Sequence, residues 1–190
     1  MPSPVAELLA ALGAAFERLG LSWYLFGAQA VVLYGGPRLT ADVDVTVALG
    51  DCPTSALVEA LATEGFRLRG ADVAAFVERT RVLPAVHEAT GMPVDVVLAG
   101  AGPEELFLQR ARPRRVDVIT VPVAAPEDII AMKVLAGRPK DLEDAAAILA
   151  ANPKGFDVSL VRDTLGMLEA ALDQRDLLPA FERLVAQRGR

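Results

Sequence analysis

The chain has 190 residues and a formal net charge of −6, and 53% of its residues are hydrophobic. This composition predicts one globular domain, or a core with a small appendage, and excludes a disordered chain. A single cysteine, Cys52, and a single histidine, His87, exclude a disulfide framework and a cysteine–histidine zinc cluster within one chain. The negative charge disfavours general coating of DNA.

The first part of the chain alternates helix and strand patterns. Ser3 and Pro4 are typical of a helix start, and Gly20 ends that helix. A strand is predicted over 22–26, then a turn at Gly27 and a buried helix that a glycine–proline break ends. The next predicted elements are a strand over 42–49, a helix over 53–64, a weak strand over 80–88, a turn at Thr90-Gly91, a strand over 92–99, a helix over 103–110 and a strand over 116–123.

After Pro126 the pattern is helical, near 126–136, 139–151, 157–171 and 174–187. Strands that precede a run of helices predict an α+β fold. We expect a core over 1–125 and a helical region over 126–190 packed on it. The chain opens without a basic signal-peptide region, and the charge-free stretch over 21–37 is too short and polar to span a membrane. We therefore expect a cytoplasmic protein.

Two aspartates stand in the strand-like segment GGPRLTADVDVTV, residues 35–47. Side chains alternate across a strand, so Asp42 and Asp44 would point to one face and the intervening valines to the other. Carboxylates that lose hydration need a cation or donor, and Mg²⁺ prefers oxygen ligands. Asp95, between valines in PVDVVLAG, could lie beside Asp44 if the two strands pair. A turn cap at Asp42 and a solvated sheet face are the alternative.

The segment FGAQAVVLYGGPRLTADVDV resembles the signature of the DNA polymerase β-type nucleotidyltransferase superfamily, where a glycine turn opens a helix and a D-x-D strand follows. With the later APEDIIAMKVLAGRPKDLEDAAAIL, it is similar to bacterial nucleotidyltransferase-like proteins related to the AbiEii and MenT toxins. The resemblance covers roughly residues 20–150. It implies a nucleotidyltransferase-like mixed β-sheet flanked by helices, with a C-terminal helical region.

The resemblance also implies metal-dependent transfer of a nucleotide. Asp42, Asp44 and Asp95 would be the catalytic residues and would bind Mg²⁺ or Mn²⁺, with Asp95 helping to activate the attacking hydroxyl. Gly27 and Ala28 would form the turn at the triphosphate, because glycine admits close approach and helix amides attract anions. Ala28 departs from the usual serine or glycine, so any hydroxyl contact with phosphate is lost.

Three further residues are candidates for nucleotide binding. Arg38, four residues before Asp42, would contact a phosphate or form a structural ion pair. Lys133 lies in a helix that is otherwise apolar on one side. The related toxins carry a lysine in the matching motif that meets the phosphates, and snorkelling to solvent is the alternative. Asp141 matches an aspartate in the family's K-D-L-x-D segment, and it is also suited to the first turn of its helix.

The predicted function is Mg²⁺-dependent transfer of a nucleoside monophosphate from a nucleoside triphosphate to an acceptor hydroxyl. The toxin resemblance implies a tRNA 3′ end as acceptor and a separate antitoxin protein as partner. The densest basic run is the candidate RNA surface, with a solvated charge run as the alternative; it comprises Arg110, Arg112, Arg114 and Arg115. A small-molecule (antibiotic) nucleotidyltransferase and a non-catalytic nucleotide-binding or protein-interaction module stay open.

Overall fold

The computed structural model describes residues 2–37, 40–100 and 102–188, which form the α+β fold that the sequence predicts. The helices are α1 (Pro4–Arg18), α2 (Gly27–Leu33), α3 (Thr54–Thr63), α4 (Val73–Thr80), α5 (Pro103–Arg110), α6 (Pro126–Ala136), α7 (Pro139–Ala151), α8 (Val158–Leu172) and α9 (Leu177–Arg188). The strands are β1 (Ser22–Phe26), β2 (Val43–Ala48), β3 (Phe66–Leu68), β4 (Val82–His87), β5 (Met92–Leu98), β6 (Arg112–Val116) and β7 (Ile119–Val123).

The strands form one mixed seven-stranded sheet in the order β3-β4-β5-β2-β1-β7-β6. The central strand β2 pairs in parallel with β5 and antiparallel with β1, and β1 pairs in parallel with β7. The two edges of the sheet are built by antiparallel neighbours, β3 with β4 and β6 with β7. The strand of the D-x-D segment, β2, is therefore the central strand of the sheet and has a paired strand on each side.

Two compact units can be distinguished, and each is described by itself. The first comprises residues 2–29 and 40–124, and the second comprises residues 30–37 and 125–188. The second unit thus includes the end of α2 with the C-terminal helices. The division expected from the sequence, a core over 1–125 and a helical region over 126–190, stays a prediction.

The first unit contains the sheet with α1, α3, α4 and α5. Helix α1 begins where the Ser3 side chain accepts a hydrogen bond from the backbone N–H of Ala6. The helix buries one apolar face, and its Phe16 ring lies 5.3 Å from the ring of Trp23 on β1. On β2 and β5, alternate valines are fully buried, which leaves the opposite face of each strand for other side chains.

The second unit is built by α6 to α9, which pack on one another around an apolar core. Gly137 ends α6 and Asn152 ends α7, each in the left-handed conformation typical of a helix C-terminus.

Among residues 2–37, 40–100 and 102–188, no helix combines the length and apolar character that a membrane span needs.

Three elements differ from the predicted ones. The segment predicted as one strand over 116–123 is a hairpin of β6 and β7, whose turn holds Asp117 at a φ of 55°. The arginines of β6 interrupt the apolar alternation that would have indicated a strand. An edge strand tolerates such charged side chains, so the strand forms despite them. Helix α4 and the short strand β3 are additional to the predicted elements. Helix α4 has the capping residue Asp72 and a helical spacing of Val73, Phe76 and Val77, but none of its residues, all of which are described, is buried.

Candidate active site

Asp44 and Asp95 occupy opposite positions on adjacent parallel strands. The pairing of β2 with β5 places Asp44 against Asp95, which confirms the juxtaposition expected from the valine-flanked aspartates. Paired residues of neighbouring strands lie about 4.8 Å apart and project to the same face. Asp44 is half-buried, and the Asp95 side chain is 44% exposed. Two carboxylates held this close repel one another and together attract a cation.

Gly27 meets the Asp44 carboxylate at close range. A methyl group added to its α-carbon would lie 2.0 Å from Oδ2 of Asp44, and the φ of +67° also disfavours any side chain. The approach follows from the register of β1 and β2, in which Phe26 opposes Asp44 and Gly27 comes directly after Phe26. Ala28 is nearly buried in the first turn of α2. The phosphate-binding roles of Gly27 and Ala28 stay predictions.

Asp42 lies just before β2 rather than inside it, as the strand begins at Val43. It is exposed, and its backbone N–H donates to the hydroxyl of Thr40 at 3.3 Å. The strand expected over 42–49 is therefore shorter at both ends. Strand alternation therefore does not by itself place Asp42 on the face of Asp44, and the catalytic role of Asp42 stays a prediction.

Arg69 is the neighbour of Asp95 that the sequence did not indicate. Its guanidinium donates to Oδ1 of Asp95 at 2.7 Å, and both side chains are about half exposed. Its backbone N–H donates to the carbonyl of Pro84, the residue that opposes Asp95 on β4. Arg69, Pro84, Asp95 and Asp44 therefore form one row across the sheet. Only strand pairing brings Arg69 there, so no local signal in the sequence could have indicated it.

The donor set of this row fits a hard divalent cation. Asp44 and Asp95 offer carboxylate oxygens on one face, and such oxygens are the ligands that Mg²⁺ and Mn²⁺ prefer. Within the described ranges, no three carboxylate, imidazole or thiol side chains already form a metal-binding group. Arg69 supplies a positive charge to Asp95 in this arrangement. Metal binding at Asp42, Asp44 and Asp95 stays a prediction.

Lys133 lies in a nearly buried cluster of charges in the second unit. Its ammonium group lies 2.8 Å from Oδ1 of Asp141 and 2.8 Å from Oδ2 of Asp144, and Arg138 also contacts Asp141. The side chains of Lys133, Asp141 and Asp144 are 12%, 1% and 8% exposed. Lys133 is therefore held by two carboxylates rather than extended into solvent.

The pKa of Asp141 is lowered. Burial raises the pKa of this carboxyl, but hydrogen bonds from Arg138 and Lys133 favour the ionised form, and together with their charges they hold the pKa below its ordinary value. Asp141 and its partners are thus an internally neutralised group. The nucleotide-binding roles of Lys133 and Asp141 stay predictions, and Arg38 lies outside the residues that the structure describes.

The basic run is divided by the strand that it forms. Arg110 ends α5, and β6 carries Arg112, Arg114 and Arg115 at the sheet edge, with β1 and β7 between β6 and β2. Alternation along β6 sends Arg115 to the face opposite Arg112 and Arg114. Arg115 also donates to the backbone carbonyl of Asp117 at 2.7 Å. The run is therefore not one continuous patch, and its RNA-binding role stays a prediction.

His87 and Cys52 lie outside this row. His87 is 4% exposed, its ring packs on Phe66, and its Nδ1 lies 3.0 Å from the hydroxyl of Thr90 in the hairpin turn. Cys52 is a half-buried free thiol before α3. His87 supports the turn between β4 and β5.

The fold is that of nucleotidyltransferases. The solution structure of the antibiotic-resistance factor ANT(2″)-Ia matches with a TM-score of 0.58 and 16% identity, over 91% of this chain and 95% of that one. The lincomycin-bound lincosamide antibiotic adenylyltransferase LnuA matches with a TM-score of 0.52 and 15% identity, over 77% of this chain and 96% of that one. An antigenic nucleotidyltransferase-like protein from Paracoccidioides brasiliensis matches with a TM-score of 0.54 and 16% identity, over 93% of this chain and 91% of that one. At these identities the likeness is one of fold.

The chain belongs to the AbiEii family. The model of this family, described as the nucleotidyl transferase AbiEii toxin of a type IV toxin–antitoxin system, matches residues 7–188. A comparison with curated proteins gave no match. The family match confirms the resemblance seen in the D-x-D segment and in the later K-D-L-x-D segment, and it makes the chain a member of a nucleotidyltransferase family.

Proposed function

We propose that the protein transfers a nucleoside monophosphate from a nucleoside triphosphate to an acceptor hydroxyl, with Asp44 and Asp95 at the centre of the reaction. The observation that carries this proposal is the paired position of the two carboxylates on β2 and β5, with Gly27 against Asp44. Membership of the AbiEii family supports the reaction class.

In the proposed reaction the acceptor oxygen forms a bond to the α-phosphorus of the triphosphate. The bond from that phosphorus to the bridging oxygen breaks, and pyrophosphate leaves. Asp95 receives the hydroxyl proton, for which its solvent-facing carboxylate is suited. Mg²⁺ or Mn²⁺, held by Asp42, Asp44 and Asp95, would stabilise the charge on the entering and leaving oxygens. The lack of a side chain at Gly27 leaves the space that the Asp44 carboxylate occupies.

We infer that the acceptor is a tRNA 3′ end, that an antitoxin protein restrains the activity, and that the protein acts in the cytoplasm. The family description, a toxin of a toxin–antitoxin system, supports the antitoxin. Two structural neighbours are an antibiotic-resistance factor and a lincosamide antibiotic adenylyltransferase, so an antibiotic hydroxyl is the competing acceptor. A non-catalytic module that retains the fold is the competing class of protein.

The reaction is tested by incubating the purified protein with each α-labelled triphosphate and Mg²⁺, with total RNA, an aminoglycoside or a lincosamide as acceptor in separate reactions. We expect label on RNA of tRNA size, and we expect Asp44→Asn to lower the rate at least about a thousandfold, or about 4 kcal/mol of barrier. Glu143→Gln, at a carboxylate on α7, is the matched control and should retain the rate. Label on an aminoglycoside or lincosamide alone would select the competing acceptor, and equal rates for wild type and Asp44→Asn would contradict the site.

Metal binding is tested without turnover. Isothermal titration should detect Mn²⁺ binding that a non-hydrolysable triphosphate strengthens, and Asp44→Asn should weaken it because a charge is lost while the side-chain shape is kept. Glu143→Gln again serves as the control. Equal Mn²⁺ affinity in wild type and Asp44→Asn would contradict the metal assignment.

The proposed phosphate contact of Lys133 needs a paired measurement. Lys133→Ala should weaken triphosphate binding by about 1.5–3 kcal/mol if the ammonium group contacts phosphate. It should also lower stability, since Asp141 and Asp144 lose a partner. Affinity is therefore measured well below the melting midpoint of the variant. Unchanged affinity of the folded variant would restrict Lys133 to its ion pairs.

A further inference from the structure

A groove of about 370 Å³ lies beside Asp95 in the first unit. It runs along α4, and the residues of interest in its lining are Arg69, Asp72, Phe76, Arg79 and Pro84. Pro84 opposes Asp95 on the neighbouring strand, and Arg69 is hydrogen-bonded to the Asp95 carboxylate. The groove therefore adjoins the carboxylate that the proposed function assigns to the acceptor hydroxyl.

The groove lining combines a solvent-facing aromatic ring with guanidinium groups. Phe76 is 37% exposed, and the guanidinium carbon of Arg79 lies 5.8 Å from the centre of its ring. Helix α4 buries none of its residues, all of them described, so Phe76 is not held in an apolar core. An aromatic ring next to arginines is the composition that binds single-stranded nucleic acid, since bases stack on the ring and arginines bind phosphates.

The charges of the groove favour an anionic occupant over a cationic one. Asp72 caps α4, where its carboxylate accepts from the backbone N–H of Ala75 at 3.1 Å. Arg79 and Arg69 contribute two positive charges to the same lining, of which that of Arg69 is paired with Asp95. A polycationic acceptor such as an aminoglycoside would face both arginines, whereas a nucleotide phosphate would be attracted by them.

We propose that this groove binds the 3′-terminal nucleotides of a single-stranded RNA acceptor. A base stacks on Phe76, and the adjoining phosphate is bound by Arg79 and Arg69. When Arg69 turns to the phosphate, it leaves the Asp95 carboxylate available for the terminal hydroxyl. This inference rests on the proposed function, because it is the assignment of Asp95 to the acceptor that gives the groove its role.

RNA binding tests the groove without catalysis. Fluorescence anisotropy with a 5′-labelled single-stranded RNA of about twelve nucleotides, in the absence of triphosphate, should give an affinity that falls with salt. Phe76→Ala and Arg79→Gln should each weaken it about tenfold, and Arg79→Gln should also flatten the salt dependence. Matched controls are Val118→Ala, at an exposed apolar residue, and Arg175→Gln, at an exposed arginine. Phe76→Leu keeps an apolar side chain while removing the ring, and should bind as weakly as Phe76→Ala.

Three results would overturn the proposal. The first is RNA affinity that Phe76→Ala and Arg79→Gln leave unchanged in folded protein. The second is loss of affinity in Arg115→Gln alone, which would favour the sheet edge formed by β6. Transfer of label to RNA with full activity in both groove variants would likewise reject the groove while leaving the proposed function intact. Groove-dependent RNA binding without transfer of any nucleotide would reject the proposed function and support the groove.

Discussion

The two groups of aspartates in this protein differ in how their charge is neutralised. Asp141 and Asp144 are nearly buried, and the chain itself supplies their counter-charge through Lys133 and Arg138. The side chain of Asp95 faces solvent, with Arg69 as an equally exposed partner, and Asp44 beside it is half-buried. A buried and internally neutralised carboxylate contributes to stability, whereas a carboxylate that faces solvent on a central strand, as Asp95 does, can exchange its partner for a ligand.

The two groups of aspartates should differ in how much stability is lost when one carboxylate is replaced by a neutral side chain. Removing one member of a buried ion pair leaves an uncompensated charge in a poorly hydrated place, which costs stability. Removing one of two adjacent carboxylates relieves their mutual repulsion, which offsets part of the cost of losing its other contacts. The largest change in stability is therefore expected in the second unit, and the largest change in activity at Asp44.

Asp141→Ala should give the largest loss of stability. With Asp141 removed, the Lys133 ammonium group loses one of its two carboxylate partners and retains Asp144, and we expect a free energy of unfolding lower by about 3 kcal/mol. Urea unfolding measures the change. Lys140→Ala, at an exposed residue of the same helix, is the control and should change it by less than about 0.5 kcal/mol. Equal stabilities of the two variants would remove the distinction between the groups.

Gly27→Ala should combine strain with displacement of the Asp44 carboxylate. The matched control is Gly91→Ala, because Gly91 has a φ of +66° against +67° for Gly27, while a methyl group added to Gly91 would meet no atom within 4 Å beyond its chain neighbours. We expect a loss of about 1 kcal/mol for Gly91→Ala from backbone strain, and at least about 2 kcal/mol for Gly27→Ala. Mn²⁺ titration should detect weaker binding only in Gly27→Ala. Equal effects would mean that Asp44 adjusts freely.

Acid should weaken the second unit through Asp141. The pKa of Asp141 is lower in the folded chain than its ordinary value of about 4, so its contribution is present above pH 4 and is lost as pH falls through the folded pKa. Below pH 4 this one group should lower the free energy of unfolding by up to about 1.4 kcal/mol per pH unit. Urea unfolding at several pH values should give a shallower dependence for Asp141→Asn. The same pH dependence of the free energy of unfolding in wild type and Asp141→Asn would contradict a lowered pKa of Asp141.

Asp44→Asn should have the smallest effect on stability. Because Asp44 is half-buried and its neighbour Asp95 has the same charge, we expect a change within about 1 kcal/mol, while nucleotide transfer is lost. Thermal unfolding beside the transfer assay measures both quantities in one preparation. A loss of stability as large as that of Asp141→Ala would place Asp44 with the structural aspartates.

Local signals made much of the fold predictable. The strand over 22–26 and the helices over 126–136 and 139–151 agree with β1, α6 and α7, because caps and proline or glycine positions define their ends. The valines around Asp44 and Asp95 indicated two strands that would bring the aspartates together if they paired, and they do pair. Arg69 was not, because its contact with Asp95 depends on how β3, β4 and β5 pair. The cluster around Lys133 likewise needs α6 and α7 to pack together.

The parallel pairing of β2 with β5 has a consequence for folding. Two helices and two strands separate the paired aspartates in the chain. The pairing therefore costs the chain entropy of closing a long loop before any contact between β2 and β5 can stabilise it. The C-terminal helices pack through contacts nearer in sequence. We therefore expect the aspartate pair to form late, and a nascent chain released before β5 to lack it. Activity would then report completed folding of the sheet.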